Sequence, residues 1–277
     1  MANREILYAV ADRVATITLN RPDKLNAWTA TIEQEVRSAV EEAGRDSQVR
    51  VIVLTGAGRG FCAGADISLL GAVAKQGATE QVRERALRNP GTGGPEGVRA
   101  DFQNRYSYFL ATEKPVIAAI NGPAVGLGLV IALYCDLRFT SDAARFSAVF
   151  ARRGLIAEYG MAWMLPRIVG PANALDLLLS ARTIDAAEAL RMGLANRVFP
   201  QEGFLDRVNE YARDLASNVS PRSMKVIKRQ VYEAMFESLQ EAFESSEHQM
   251  LASFDSEDFK EGVAHYLEKR SPDFTGN

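Results

Sequence analysis

The chain has 277 residues and a formal net charge of −3, with 47% hydrophobic and 24% charged residues. This length suits one main α/β unit with a smaller appendage. The slightly acidic balance argues against a nucleic-acid-binding protein, which would show a basic stripe. The sequence contains no uninterrupted apolar run of about 18 residues, so no membrane span is predicted. Its first residues resemble neither a secretory signal nor a transit peptide, and we expect a cytoplasmic protein.

Cysteine and histidine are too scarce to suggest metal binding or histidine catalysis. Cys62 and Cys135 lie in different motifs without metal-ligand spacing, and reduced thiols are expected. His248 and His265 both lie in the C-terminal part of the chain. A histidine-based triad or a clustered zinc site is therefore disfavoured.

The first part of the chain predicts a hairpin followed by a strand–helix–strand unit. Residues 6–10 and 14–19 are short β-rich runs that form the hairpin. Apolar residues spaced by four across 32–40 predict an amphipathic helix that Gly44 ends. The apolar run 51–54 is typical of a strand buried on both faces of a parallel sheet.

A second unit of the same kind follows after an unusual insertion. Residues 77–97 are rich in Gly and Pro, which predicts a mobile flap or a poorly ordered insertion. Next come a strand over 115–120, a helix over 127–134 and a strand at 137–139. From about Phe204 onward, amphipathic helices are predicted.

Two loops rich in small residues follow buried strands. In the first, Gly58-x-Gly60-x-x-Ala63 formally matches a dinucleotide fingerprint. A nicotinamide-dependent oxidoreductase also needs an acidic residue at the end of the next strand, about 20 residues on. That distance ends at Glu80 and Glu84, where no strand pattern exists, so this interpretation is disfavoured.

The same two loops can instead supply backbone N–H groups. Ala65 lies at or just before a helix start, and the loop 121–128 has the same order of strand, small-residue turn and helix. Two such N–H groups converging would form an oxyanion hole. On spacing alone, two ordinary tight turns are at least as probable.

Seven segments in chain order resemble the signatures of the enoyl-CoA hydratase/isomerase (crotonase) family. They are NRPDKLNA (20–27), GFCAGADI (60–67), NGPAVG (121–126), CDLR (135–138), FARRGL (150–155), LPRIVG (165–170) and AEALRMGL (187–194). The resemblance covers nearly the whole chain. It implies an α/β fold with a crotonase-like ββα spiral core over residues 1–198, which binds acyl-CoA, and a C-terminal helical oligomerisation region over 199–277.

The resemblance also implies ligands and partners. The substrate is an acyl-CoA thioester, coenzyme A is part of that substrate, and neither a metal nor a redox cofactor is required. Family members assemble as homotrimers or dimers of trimers through C-terminal helices. Nucleic acid and membrane are not expected partners.

Site residues are carried over position by position. The oxyanion donors are the backbone N–H groups of Ala65 and Leu127. Substrate-binding positions are Lys24, Leu25, Ala27, Ala63, Asp66, Ile67 and Gly126. Asp66 could equally be a structural carboxylate at a helix N-terminus, and Lys24 could be a solvated turn residue.

The sequence departs from the family where its hydratases carry two glutamates. Those positions are Val130 and Phe150 here, and neither side chain can move a proton. Glu158 is an acid that lies shortly after Phe150 in the sequence. An apolar setting made by residues such as Trp163 would favour its action as a base. Alternatively, Glu158 only compensates the dipole of the helix predicted over 161–168.

These residues predict proton transfer next to, or conjugated with, the thioester, such as the migration of a double bond. Glu158 would be the base, and the two N–H groups would hold the enolate charge. Hydration, or other lyase or hydrolase chemistry by Glu158 alone, is an alternative. An inactive acyl-CoA-binding protein is another.

Overall fold

A computed structural model describes residues 4–66, 71, 75, 77, 79–80, 83–84 and 98–277. The strands within this part are β1 (Ile6–Ala11), β2 (Val14–Leu19), β3 (Val51–Gly56), β4 (Val116–Ile120), β5 (Ala124–Val125), β6 (Leu137–Ser141), β7 (Arg145–Ser147), β8 (Ile184–Asp185) and β9 (Arg197–Phe199). The α-helices are α1 (Ala30–Arg45), α2 (Tyr108–Ala111), α3 (Leu127–Tyr134), α4 (Met161–Val169), α5 (Pro171–Ser180), α6 (Ala186–Arg191), α7 (Phe204–Asn218), α8 (Pro221–Glu233), α9 (Leu239–Phe254) and α10 (Glu257–Glu268).

Two sheets form the framework. The larger has the order β1-β2-β3-β4-β6-β9, in which β1 and β2 are antiparallel and every other pair is parallel. The smaller has the order β5-β7-β8. Parallel neighbours require long crossover connections, and α1 supplies one between β2 and β3. The predicted α/β class and crossover units are confirmed.

The predicted hairpin forms, with a turn shorter by one residue. Ala11 pairs with Val14, which leaves Asp12 and Arg13 as the two turn residues. Their φ angles are 49° and 63°. Positive φ at both central positions is the mark of a type I′ turn, whose twist matches that of the flanking strands.

Helix α1 also follows the prediction, apart from its end. The Thr29 hydroxyl accepts a hydrogen bond of 3.0 Å from the N–H of Ile32, which caps the helix at its start. The helix continues through Gly44 to Arg45, so the predicted end at Gly44 is wrong. Gly44 does not take the left-handed conformation of a terminating glycine. A Cβ built on it would lie 3.5 Å from the Thr112 hydroxyl, an ordinary van der Waals contact, so the position does not require glycine.

Strand β3 has both faces buried, as its continuous apolar run predicts. Ile52 and Leu54 join the cluster that contains α1, whereas Val51 and Val53 pack with Val208 of α7. Helix α7 therefore covers the second face of the large sheet. The domain boundary after residue 198 stays a prediction, and the first helix beyond it is part of the packed core.

The C-terminal helices are tied to the sheet by a buried ion pair. Lys228 of α8 lies 2.8 Å from the Asp136 carboxylate, and its side chain is 7% exposed. The Tyr232 hydroxyl donates to the other oxygen of Asp136 at 2.8 Å. Most of the predicted flap at 77–97 lies outside the described residues. None of the described helices has the length and apolar character needed to cross a lipid bilayer.

Candidate active site

Two buried asparagines fix the loop that follows β3. The Asn26 and Asn121 side-chain amides donate four hydrogen bonds of 2.8 to 3.0 Å to carbonyls in the loop 56–60. Asn26 and Asn121 are 0% and 6% exposed. Because these amides satisfy the carbonyls of an irregular buried segment, the loop has a single defined path.

The two small-residue loops lie in direct contact. The N–H of Val125 donates to the Cys62 carbonyl at 3.0 Å. A Cβ built on Gly128 would lie 2.2 Å from that same carbonyl oxygen. A Cβ built on Gly64 would lie 2.8 Å from the Val125 oxygen and 3.7 Å from the Leu127 nitrogen. Glycine is needed at 64 and 128 because the backbones approach too closely for a side chain.

The N–H groups of Ala65 and Leu127 lie at this contact. Trp28 and Ala65 form a parallel bridge, in which the Trp28 N–H donates to Gly64 and the Trp28 carbonyl accepts from Asp66. The N–H of Ala65 therefore points away from Trp28. Leu127 begins α3, so its N–H is outside the helical ladder. Within the described part of the chain, no main-chain carbonyl accepts from either group.

Most of the predicted substrate-binding residues lie beside the same loop. Lys24 is exposed, Leu25 and Ala27 are partly exposed, and the Leu25 carbonyl accepts a 2.9 Å bond from the N–H of Ala63. Gly126 is buried at the N-terminus of α3, with φ of 53°. Their part in substrate binding stays a prediction.

Asp66 and Ile67 differ from the other predicted binding positions. The Asp66 carboxylate forms an ion pair with Arg21 at 3.0 Å, which gives it a structural contact in addition to its predicted role. Arg21 also lies 3.3 Å from Glu5, so this guanidinium links three segments. Ile67 lies outside the described residues.

Glu158 lies in a turn that contacts the far end of α3. The Tyr134 hydroxyl donates to the Tyr159 carbonyl at 2.7 Å. Leu127, Val130 and Tyr134 are spaced by three and four residues, so they share one face of α3. Seven residues of helix correspond to about 10 Å. The N–H of Leu127 and the turn of Glu158 therefore lie at opposite ends of that face, with Val130 between them.

Comparisons with known proteins agree on one family. The sequence profile described as enoyl-CoA hydratase/isomerase matches residues 10–277. The chain is 34% identical to a probable enoyl-CoA hydratase of Mycobacterium bovis over 99% of both chains. It is also 34% identical to the 1,2-epoxyphenylacetyl-CoA isomerase of Escherichia coli over 98% of both. A crystal structure of a probable enoyl-CoA hydratase/isomerase from Mycobacterium abscessus superimposes with a TM-score of 0.86 at 33% identity, covering 99% of each chain.

The chain belongs to the enoyl-CoA hydratase/isomerase family. It is an acyl-CoA enzyme of the lyase or isomerase type, and the crotonase fold inferred from its motifs is confirmed. Its relatives include proteins named as hydratases and one named as an isomerase, so family membership alone does not assign the reaction.

The two positions where hydratases of the family carry glutamates are occupied by buried apolar side chains here. Val130 is 0% exposed and Phe150 is 7% exposed. A Cβ built on Gly126 would lie 4.0 Å from the tip of the Phe150 ring, which places this ring beside the turn that precedes Leu127. The aromatic ring of Trp163, also predicted to face Glu158, stacks on Phe236 with centroids 5.2 Å apart.

Strained backbone precedes Phe150. Val149 has φ of 48°, and the N–H of Phe150 donates to the Ala148 carbonyl at 2.6 Å. This combination describes a γ-turn of the rare positive-φ type, in a β-branched residue that seldom adopts it. Such strain persists only where the surroundings enforce it, and it often marks a functional site. This turn places the Phe150 ring next to Gly126.

The electrostatics of Glu158 suit a base. The residue is half-buried, and burial raises the pKa of its carboxyl above the ordinary value, while the positive charge of Arg105 offsets part of that rise. A carboxylate with a raised pKa accepts a proton more readily near neutral pH. Glu158 lies two residues before Gly160, the N-cap of α4, and the first turn of that helix contains no acidic residue.

Cys62 lies in the site loop but is a poor nucleophile. Burial raises the pKa of its thiol to about 12, so it is protonated at neutral pH. Cys135 has the same value for the same reason, and both cysteines are unpaired, as expected. In the described part of the chain, no group of three or more His, Cys, Asp or Glu side chains is placed to hold a metal ion.

The sequence reasoning missed two residues that contact the turn of Glu158. Tyr134 had a usable signal, because it follows Leu127 by seven residues on a predicted helix and so shares its face. Arg105 had none, because it comes from a segment 53 positions earlier that carries no motif. Its contacts depend on the tertiary fold.

Proposed function

We propose that the chain is an enoyl-CoA isomerase that moves a carbon–carbon double bond relative to the thioester. The observation that carries this proposal is the replacement of the two hydratase glutamates by Val130 and Phe150, both buried and apolar. Glu158 then acts alone. A water molecule held for addition to the double bond would lack its two carboxylate partners, which disfavours hydration.

The proposed reaction has two proton transfers at one carboxylate. Glu158 removes a proton from C2 of a 3-enoyl thioester, the carbon that lies between the thioester carbonyl and the double bond. The electron pair delocalises onto the thioester oxygen, where the N–H groups of Ala65 and Leu127 donate hydrogen bonds to the developing negative charge. Glu158 then returns the proton at the other end of the conjugated system, so the carboxylate is regenerated.

The thioester enters this site through its coenzyme A portion. We assign the nucleotide and pantetheine contacts to residues beside the first loop and at the start of α3, namely Lys24, Leu25, Ala27, Ala63, Asp66, Ile67 and Gly126. Binding energy from this remote portion orients the acyl carbons between the N–H donors and Glu158. The scheme uses no metal or redox cofactor, and this, like the cytoplasmic location, stays a prediction.

Product analysis tests the reaction type. With 3-enoyl-CoA thioesters of short and medium chain length, we expect 2-enoyl-CoA of unchanged mass in ordinary water. In deuterium oxide, mass spectrometry should show deuterium entering the acyl chain. A product heavier by one water would establish hydration instead. Tight thioester binding with neither turnover nor exchange would favour the inactive binding protein.

We also propose that the chain assembles as a homotrimer or a dimer of trimers. Helix α9 has no buried residue, and its side chains Leu239 and Phe243 are 86% and 57% exposed. On α10, Tyr266 and Leu267 are 78% and 72% exposed. Apolar surfaces of this kind are usually covered by a partner.

Light scattering tests the assembly. We expect three or six times the 30.3 kDa of one chain at micromolar concentration. Phe243→Glu should shift the population toward smaller species because it places a charge in the proposed contact. Gln249→Glu, on the same helix, adds the same charge without removing an apolar group and serves as the matched control. A monomeric wild type would contradict the proposal.

A further inference from the structure

Arg105 forms a two-pronged ion pair on the inner side of α1. Its Nε donates to one carboxylate oxygen of Glu33 at 2.8 Å, and a terminal guanidinium nitrogen donates to the other oxygen. The Tyr106 hydroxyl donates to the same carboxylate at 3.1 Å. The Arg105 and Glu33 side chains are 18% and 19% exposed. This planar arrangement fixes the guanidinium more firmly than a single contact would.

The same guanidinium contacts the residue next to Glu158. Its central carbon lies 5.4 Å from the ring centroid of Tyr159 and 5.4 Å from that of Tyr106. The two rings meet edge to face, with centroids 5.1 Å apart. A cation at this distance from an aromatic ring is attracted to it. Arg105 therefore ties Tyr159 to Glu33 on α1.

Tyr159 also needs external support for its backbone. Its φ is 52°, a left-handed conformation that is unfavourable for a tyrosine. On one side, the Tyr134 hydroxyl donates to its carbonyl at 2.7 Å. On the other side, its ring contacts Arg105 and Tyr106. A Cβ built on Gly160 would lie 2.4 Å from the Tyr134 oxygen, so the turn has little room to shift toward α3.

We propose that Arg105 is a positioning residue for Glu158, because it holds the Tyr159 turn in place and sets the charge that the carboxylate faces. The proposal rests on the function proposed above, in which Glu158 is the base. Glu33 has the opposite influence, since it pairs with Arg105 and neutralises part of its charge.

The charged and titratable groups around the turn give the sign of each effect. Among the described residues, Arg105 is a cation that contacts the turn, and Glu33 on α1 pairs with it. Tyr106 and Tyr134 contact the turn, and Tyr159 is part of it. Burial raises the pKa of Tyr134 to about 12 and also raises that of Tyr106, so both phenols are neutral at ordinary pH. Of the residues that the structure describes, Arg105 is the charged group that acts on the pKa of Glu158, and Glu33 acts on it through its pairing with Arg105.

Two substitutions should move the pH profile in opposite directions. Glu158 works as a carboxylate, so activity rises with pH through its pKa. Arg105→Gln removes the stabilising cation, which raises that pKa and moves the acid limb to higher pH. Glu33→Gln leaves the charge of Arg105 less compensated, which moves the limb to lower pH. Misplacement of the turn in Arg105→Gln should also lower the maximal exchange rate roughly tenfold to a hundredfold.

Further variants separate charge from geometry. Arg105→Lys keeps the cation but cannot make the planar two-pronged pair, so the limb should return toward the wild-type pH while only part of the rate recovers. Arg182→Gln is the matched control. Arg182 makes the same kind of two-pronged pair with Glu188, at 3.0 and 2.7 Å, elsewhere in the fold. Its loss should leave the limb unmoved.

A direct titration keeps this proposal distinct from the catalytic role of Glu158. The carboxyl is followed by NMR in protein labelled with ¹³C at the glutamate side-chain carboxyl carbon, with Glu158→Gln used to assign its signal. Opposite shifts in Arg105→Gln and Glu33→Gln support the proposal. If the pH dependence of the exchange rate does not follow those shifts, Glu158 is not the base, but the influence of Arg105 on Glu158 still holds. An unchanged Glu158 titration in both variants overturns the proposal. Should Arg105→Gln fail to fold, Glu33→Gln decides.

Discussion

Replacement of Glu158 by glutamine should lower the rates of solvent-deuterium exchange and double-bond migration by about a hundredfold to ten-thousandfold. This corresponds to roughly 3 to 5 kcal/mol of activation barrier, the usual loss for one positioned acid or base. The amide keeps the size and shape of the side chain but cannot accept the proton. Thioester affinity, measured by calorimetry, should stay close to that of the wild type.

The competing structural role of Glu158 predicts a different pattern. A carboxylate that only supports a helix start affects melting and leaves the activity of each folded molecule unchanged. Asp185→Ala provides the reference for this behaviour, since the Asp185 side chain caps α6 by accepting a 2.8 Å bond from the N–H of Glu188. If Glu158→Gln melts early and exchanges normally, as expected of Asp185→Ala, Glu158 is not the base.

Gly64→Ala should abolish most of the activity by separating the two N–H donors. The new Cβ would lie 2.8 Å from the Val125 oxygen, a distance that real Cβ atoms do not show, so one loop must shift. Loss of a single oxyanion donor in enzymes typically costs about a hundredfold to a thousandfold in rate. Exchange kinetics, normalised to the folded fraction from circular dichroism, measure the effect.

Gly64→Ala also places a side chain at an unfavourable backbone angle, and this second effect of the substitution needs its own control. Gly64 has φ of +97°, and a residue with a side chain there costs roughly 1–3 kcal/mol of stability. Gly203→Ala introduces a similar penalty at φ of +68°, where a Cβ meets nothing within 4 Å. It should melt earlier with normal exchange. If Gly64→Ala and Gly203→Ala show equal exchange rates per folded molecule, the two N–H groups do not take part in the mechanism.

The local architecture of this protein was readable from the sequence because it depends on short-range periodicity. The recurrence of apolar residues every four positions predicted α1, and the continuous apolar run at 51–54 predicted the buried strand β3. The extent of α1 was not readable. Gly44 resembles a helix stop, but the helix continues through it to Arg45, since a single glycine inside a helix costs only about 1 kcal/mol.

The identity of the candidate residues was also readable, since it needs only matched positions. The motifs identified the family and the loops that contain Ala65 and Leu127, and they identified the two places where glutamate is replaced by Val130 and Phe150. Their roles in the site remain predictions. The sequence could not show that the two loops touch, because that contact joins segments about sixty residues apart.

The surroundings of Glu158 were decided by the tertiary structure alone. Arg105 lies 72 residues from Glu33, and Tyr134 lies 25 residues from the carbonyl that it binds. No helical or strand period connects such positions, so no pattern along the chain predicts them. The sequence predicted that one acid, Glu158, lies in an apolar setting. The fold brings Arg105, Glu33, Tyr106 and Tyr134 from distant segments to its turn, and we propose that these contacts govern its pKa and position.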